Sequence, residues 1–141
     1  SDLISIPFSH DEMCIISSKN HPLTKLKKIK TSDLENTEWL LRELGSGSRE
    51  CFINTLAPEL KRWHLSFELN TTEALINSVS AGLGLGCLSK LAANYAIEAG
   101  RVSLLKTPIE MPRTFYLVIH KNKYRSPLIK SFMLFCEKWQ Q

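Results

Sequence analysis

No apolar run in this sequence approaches the roughly 20 residues that a membrane-spanning helix needs, so nothing in it predicts contact with a membrane. The four cysteines stand far apart without a CxxC pair, and no histidine lies at ligand spacing from another histidine or a cysteine. These spacings exclude the common zinc-binding motifs. We therefore expect no metal site and no cofactor, and we expect reduced, buried cysteines in a cytoplasmic protein.

The excess of positive over negative side chains is also small. The net charge of +4 over 141 residues is below that of a dedicated nucleic-acid-binding domain. A lysine cluster at 25–30 has no aromatic platform or reading helix beside it, which favours a solvated loop over a DNA-binding surface. The 43% hydrophobic content excludes intrinsic disorder, and the length corresponds to one domain or slightly more.

Two segments carry most of the functional information: 43–49 (ELGSGSR) and 68–75 (ELNTTEAL). Each is an apolar run that ends in small hydroxyl or amide residues before a predicted helix. The first backbone N–H groups of such a helix have no partner within it, and the helix dipole adds positive potential there. We therefore predict a site for a small anion whose walls are formed by Ser46, Gly47, Ser48, Asn70 and Thr71.

The same residues have a simpler interpretation as helix caps, each worth about 1 kcal/mol of stability. Asn70 is expected to cap the second helix, with Glu73 reaching back to the Asn70 N–H as in a capping box. Arg49 either adds positive charge to the site or lies exposed on its helix. Both interpretations stay open at this point.

Strand patterns alternate with helix patterns along the chain, which predicts an α/β fold with a mostly parallel sheet flanked by helices. In the predicted C-terminal helix four apolar residues fall on one face, and we expect that face to pack in a core or on a second copy of the chain. They are Leu128, Phe132, Phe135 and Trp139.

The order of these features resembles the effector-binding domain of LysR-type transcriptional regulators. No single piece is specific, but the pieces occur in the family's order along nearly the whole chain. They are 11–16 with the following His21-Pro22-Leu23, 41–49, 68–73, 79–86, 99–101, and the strand 113–120 with the following Ser126-Pro127.

The resemblance implies a sensor similar to periplasmic solute-binding proteins, with a small-molecule cleft between two subdomains joined by crossing strands. It implies a crossing segment at 1–12, a complete second subdomain at 13–106, and the return strand and C-terminal helix of a partial first subdomain at 107–141. The family pattern predicts that the first subdomain is truncated at its N-terminal side. It also implies a homodimer or tetramer that binds DNA only through a winged helix-turn-helix domain outside this chain.

Three hypotheses follow. We favour an effector-sensing domain without catalytic residues, which predicts saturable binding of a small anion with no turnover. An enzyme would need Cys51 as a thiolate in the first turn of a helix, but the sequence assigns no base to it. A solute-binding protein of a transport system shares the architecture; the lack of an export signal and of a disulfide pattern argues against it.

Overall fold

The computed structural model describes residues 2–139, which form two compact units. We refer to Glu12–Met111 as the central unit and to residues 2–11 with 112–139 as the terminal unit. The described residues contain six strands: β1 (Leu3–Ser17), β2 (Glu38–Arg42), β3 (His64–Leu69), β4 (Leu85–Ser89), β5 (Ser103–Leu105) and β6 (Pro112–His120). They contain four α-helices: α1 (Gly47–Cys51), α2 (Thr72–Ser80), α3 (Lys90–Glu98) and α4 (Pro127–Glu137).

Short helical turns complete the chain path of the central unit. α1 continues into a π-helical turn at Phe52–Leu56 and a 3-10 turn at Ala57–Glu59, where Pro58 removes a backbone donor. Two further 3-10 turns lie at Pro22–Lys25 and Thr31–Leu34, before β2. The predicted lysine loop at 25–30 therefore lies between two 3-10 turns, and its first residue, Lys25, ends the first of them.

The sheet of the central unit has the strand order β3-β2-β4-β1-β5. β2 runs parallel to both β3 and β4, whereas β1 runs antiparallel to β4 and β5. The predicted α/β fold with flanking helices is therefore confirmed. The sheet itself is mixed rather than mostly parallel, because β1 inserts between two strands that run in the opposite direction.

Alternation along β2 separates the core of the central unit into two layers. Trp39 and Leu41 face a cluster that includes Phe52 of the π-helical turn. Leu40 faces the opposite cluster, which holds Leu75 and the rest of the apolar side of α2. α1 and α2 therefore pack on opposite faces of the sheet.

Local sequence signals set the helix starts. Ser126 caps α4 by accepting from the Ile129 N–H, and Pro127 follows at the first helical position. At α2 the prediction was wrong by one residue: the cap is Thr71, not Asn70. The Glu73 carboxylate accepts a hydrogen bond from Arg101 rather than reaching back to Asn70, so there is no capping box of the predicted kind.

In the terminal unit, β6 pairs with β1, and α4 lines an apolar cavity of about 360 Å³ together with β6. The Arg113 guanidinium bonds the buried carboxylate of Asp11 at 2.7 Å and lies 4.7 Å from the ring of Phe115. The predicted apolar face of α4 is exposed here rather than buried in a core: Leu128 is 79% exposed and Phe135 58%.

Candidate functional site

The carboxyl ends of β2 and β3 meet at one edge of the sheet in the central unit. The two strands are parallel neighbours with Arg42 opposite Leu69, so the segments that follow them leave the sheet side by side. The segment after β2 leads into α1 on one face of the sheet, and the segment after β3 leads into α2 on the other face. The two segments therefore diverge at the strand ends, the region where open α/β sheets commonly bind ligands.

The segment after β2 is a tight turn. The Ser46 N–H donates to the Glu43 carbonyl at 3.1 Å, and Gly45 adopts the left-handed region with φ of +85°. Ser46 stands at the cap position of α1, yet its hydroxyl makes no capping hydrogen bond. The predicted residues Ser46, Gly47 and Ser48 thus lie together at the start of α1, and the hydroxyl of Ser46 is not used as a cap.

The segment after β3 differs from this. The Thr71 hydroxyl accepts a hydrogen bond from the Ala74 N–H at 3.1 Å, so Thr71 is engaged in capping α2. Asn70 is exposed and lies between the end of β3 and this cap. Both predicted residues are at the same sheet edge as the turn after β2, but the Thr71 hydroxyl already has a structural role.

Arg42 links the two segments and was not predicted as a site residue. Its Nη1 donates to Oγ1 of Thr72 at 3.1 Å, at the first position of α2. Its Nε and Nη2 donate to the two carboxylate oxygens of Glu43 at 2.8 and 2.9 Å. The hydrogen bonds from Arg42 lower the pKa of Glu43 below its usual range, and a bond from the backbone of Glu43 itself adds to this effect.

Arg49 has a structural role within the site. Its Nη1 donates to the Arg42 carbonyl at the end of β2 and to the Glu68 carboxylate on β3. Its side chain is only 11% exposed, so the interpretation as an exposed helix arginine was wrong. Arg49 thereby ties α1 to the ends of both strands, and each arginine at this edge carries one glutamate partner.

The sequence contains a local signal for the position of Arg42 in this network. An arginine directly at the end of a buried strand, as in Leu40-Leu41-Arg42, places its charge where two parallel strands end. The partner Thr72, however, is 30 positions further along the chain. That contact depends on the strand pairing and cannot be derived from the local sequence.

The alternative with Cys51 as a catalytic thiolate finds no support. Cys51 is half-buried, and its Sγ lies 3.9 Å from Oγ1 of Thr55 in the following turn. His64, the histidine nearest to Cys51 in sequence, forms a hydrogen bond from Nδ1 to Glu38 at 2.6 Å. Ser66 and then His64 lower the pKa of Glu38 through these hydrogen bonds.

Neither a metal-binding cluster nor a membrane-spanning helix occurs among the described residues. Residues 2–139 contain no group of three or more His, Cys, Asp or Glu side chains able to hold a metal ion. Within the same residues, every helix is too short or too polar to cross a lipid bilayer.

Comparison with known proteins agrees on one family. A model of the LysR substrate binding domain matches residues 1–141. The HTH-type transcriptional regulator YeiE of Escherichia coli K12 is 30% identical over 138 residues, which are 97% of this chain and 47% of YeiE. CysL of Bacillus subtilis is 29% identical over 142 residues, covering 88% of this chain and 47% of CysL. The chain thus spans about half the length of these relatives.

Solved structures agree with the fold. The regulatory domain of CcmR from Synechocystis PCC6803, in complex with 2-PG, superposes with a TM-score of 0.86 at 23% identity, over 96% of this chain and 65% of that one. The effector-binding domain of QuiR, in complex with shikimate, gives a TM-score of 0.82 at 23% identity, over 96% and 64% of the two chains. At these identities the likeness establishes the fold alone.

Proposed function

The chain belongs to the LysR substrate-binding domain family, whose members are non-enzymatic regulatory domains, and from this premise we propose how it senses its effector. In this proposal a small anionic metabolite binds at the ends of β2 and β3, against Ser46, Gly47, Ser48, Asn70 and Thr71. Binding then modulates the DNA affinity of a winged helix-turn-helix domain in the same protein.

One observation carries the proposal: the parallel pairing of Arg42 with Leu69 sets both predicted segments at one sheet edge. The Arg42–Thr72 hydrogen bond at 3.1 Å supports their proximity. A hydroxyl at Ser46 without a capping bond, and backbone N–H groups at the first turn of α1, supply donors of the kind that anions accept.

The ligands of the structural neighbours support an effector of metabolite size. CcmR is in complex with 2-PG and QuiR with shikimate, and both domains share the fold of this chain. The negative charge of the effector is inferred from the hydroxyl and backbone N–H donors at these strand ends.

The proposal extends to organisation and partners. We propose a crossing segment at 1–12, a second subdomain at 13–106 and a return to the first subdomain at 107–141; the two compact units support this division. We also propose a homodimer or tetramer in the cytoplasm. The exposed apolar side chains of α4 support self-association, because large exposed apolar patches usually mark interfaces.

A titration tests the binding proposal. The protein is titrated with acetate, benzoate, succinate, shikimate and inorganic phosphate by calorimetry, and its melting temperature is followed in parallel. We expect saturable binding of at least one anion and a rise in melting temperature with its concentration. Ser46→Ala should weaken that binding while leaving the free energy of unfolding within about 0.5 kcal/mol of the original.

Ser32→Ala, at an exposed serine in the turn before β2, is the matched control and should bind as the unmodified protein does. Absence of binding to every anion would refute the proposed function. Equal binding by the Ser46 and Ser32 variants would refute the site.

A further inference from the structure

The guanidinium of Arg42 is held in place by a group from another element. Its Nη1 bonds Oγ1 of Thr72 at the start of α2, and 22% of its side chain is exposed. The remaining edge of the guanidinium, Nε with Nη2, presents two parallel N–H donors. This is the geometry that binds a planar carboxylate through both oxygens.

That edge is filled by the carboxylate of Glu43, with bonds of 2.8 and 2.9 Å. Apart from its own backbone, the group that holds the Glu43 side chain is Arg42. The side chain is 36% exposed and leaves the backbone at the turn that Ser46 closes. The pair is therefore asymmetric: the arginine is positioned by α2, whereas the glutamate is local and accessible to water.

The second ion pair at this edge is built differently. Glu68 belongs to β3, and its partner Arg49 is 11% exposed and also bonds the carbonyl of Arg42. The Glu68 side chain is itself 43% exposed, but its departure would leave the mostly buried guanidinium of Arg49 without a carboxylate partner. The two pairs thus offer an internal comparison between a fixed and a replaceable carboxylate.

We propose that Arg42 binds the carboxylate of the effector and that Glu43 is the internal carboxylate which the effector displaces. This rests on the function proposed above and narrows the effector class to organic carboxylates. Displacing Glu43 from Arg42 costs little, because a partly exposed ion pair contributes little net free energy to stability. An effector that replaces it also gains the hydroxyl of Ser46, which makes no capping hydrogen bond.

The proposal predicts an unusual result: removing an acidic residue of the site tightens binding. In Glu43→Gln the competing charge is gone, and we expect benzoate or succinate to bind about fivefold more tightly, the effect expected when a partly exposed ion pair of ordinary strength is lost. Benzamide, which has the same ring without the charge, should show no gain.

Glu68→Gln is the matched control, because it removes one negative charge from the same sheet edge. A general electrostatic effect would raise carboxylate affinity equally in both variants, whereas exchange at Arg42 predicts less than about a twofold change for Glu68→Gln. Arg42→Lys keeps the charge but loses the two parallel donors, and should weaken carboxylate binding about tenfold. The gain from Glu43→Gln should also disappear when it is combined with Arg42→Lys.

Calorimetry on the intact protein measures these affinities, and the nitrogen-15 signal of Arg42 Nε reports the exchange directly. Equal gains in carboxylate affinity in Glu43→Gln and Glu68→Gln, or no gain in Glu43→Gln, would refute the displacement of Glu43 by the effector. The proposal of anion binding would still stand. If neither the unmodified protein nor Glu43→Gln binds any probe at about 10 mM, the proposed function fails together with the displacement of Glu43.

Discussion

Gly86 shows how a single residue controls the packing of a helix on the sheet. It lies in β4, beneath α2, and a Cβ atom there would stand 2.7 Å from Cδ2 of Leu75 and 2.8 Å from Cγ2 of Val79. Both neighbours are fully buried, so neither can move aside freely. The glycine thus permits the close approach of α2, the helix whose first turn binds Arg42.

We expect Gly86→Ala to destabilise the protein by about 1–3 kcal/mol through overpacking, measured as the free energy of unfolding in urea. Gly47→Ala is the control, because nothing lies within 4 Å of the position that its Cβ would take. That variant should be as stable as the unmodified protein or slightly more so. A Gly86→Ala variant of unchanged stability would contradict the described packing of α2.

At the scale of elements, local signals predict well what depends on neighbours in sequence. The apolar spacing of Leu75, Ile76 and Val79 places the buried face of α2 correctly. The cap was misplaced because Asn70, Thr71 and Thr72 are three successive residues able to cap a helix. Only the backbone geometry at the end of β3 decides between them.

Local sequence signals do not predict which strands pair across long distances in the chain. The insertion of β1 between β4 and β5 depends on contacts such as Ile15 opposite both Cys87 and Leu105. No local pattern encodes that order, which is why the mixed character of the sheet was missed. The candidate residues at the sheet edge were found because strand ends are local features, whereas the bond from Arg42 to Thr72 was missed because it spans the pairing of two strands.

The cap of α2 gives a prediction at this scale. Thr71→Ala removes the oxygen that accepts from the Ala74 N–H and should cost about 1 kcal/mol of unfolding free energy. Thr71→Ser keeps that oxygen and should recover most of the loss. Asn70→Ala, at the residue before the cap, should change stability by less than about 0.5 kcal/mol. Equal losses at Asn70 and Thr71 in urea unfolding would contradict the assignment of the cap.

Three side chains with lowered pKa values predict how the stability of the whole molecule depends on pH. Burial lowers the pKa of His21 below 6.5, and hydrogen bonds lower those of Glu38 and Glu43 below 4.5. In each case the unfolded chain binds more protons than the folded one between the two pKa values. Stability therefore falls on acidification in two windows, the first just below pH 6.5 and the second below pH 4.5.

Variants separate the two pH windows when the free energy of unfolding in urea is measured from pH 7 to pH 3. His21→Asn keeps an acceptor for the Leu23 N–H but does not titrate, so the decline below pH 6.5 should be shallower. Glu38→Gln should flatten the decline below pH 4.5 and leave the first window unchanged. A profile in which His21→Asn changes only the lower window would contradict this assignment.

The terminal unit is assembled from two stretches of chain that flank the central unit, at 2–11 and 112–139. During synthesis on the ribosome, the first part of β1 emerges about a hundred residues before β6, the strand with which it pairs. Since domains generally fold as units while they are made, the central unit is complete before that pairing can form. Translation order therefore makes the pairing of β1 with β6 a late event, which follows the folding of the central unit.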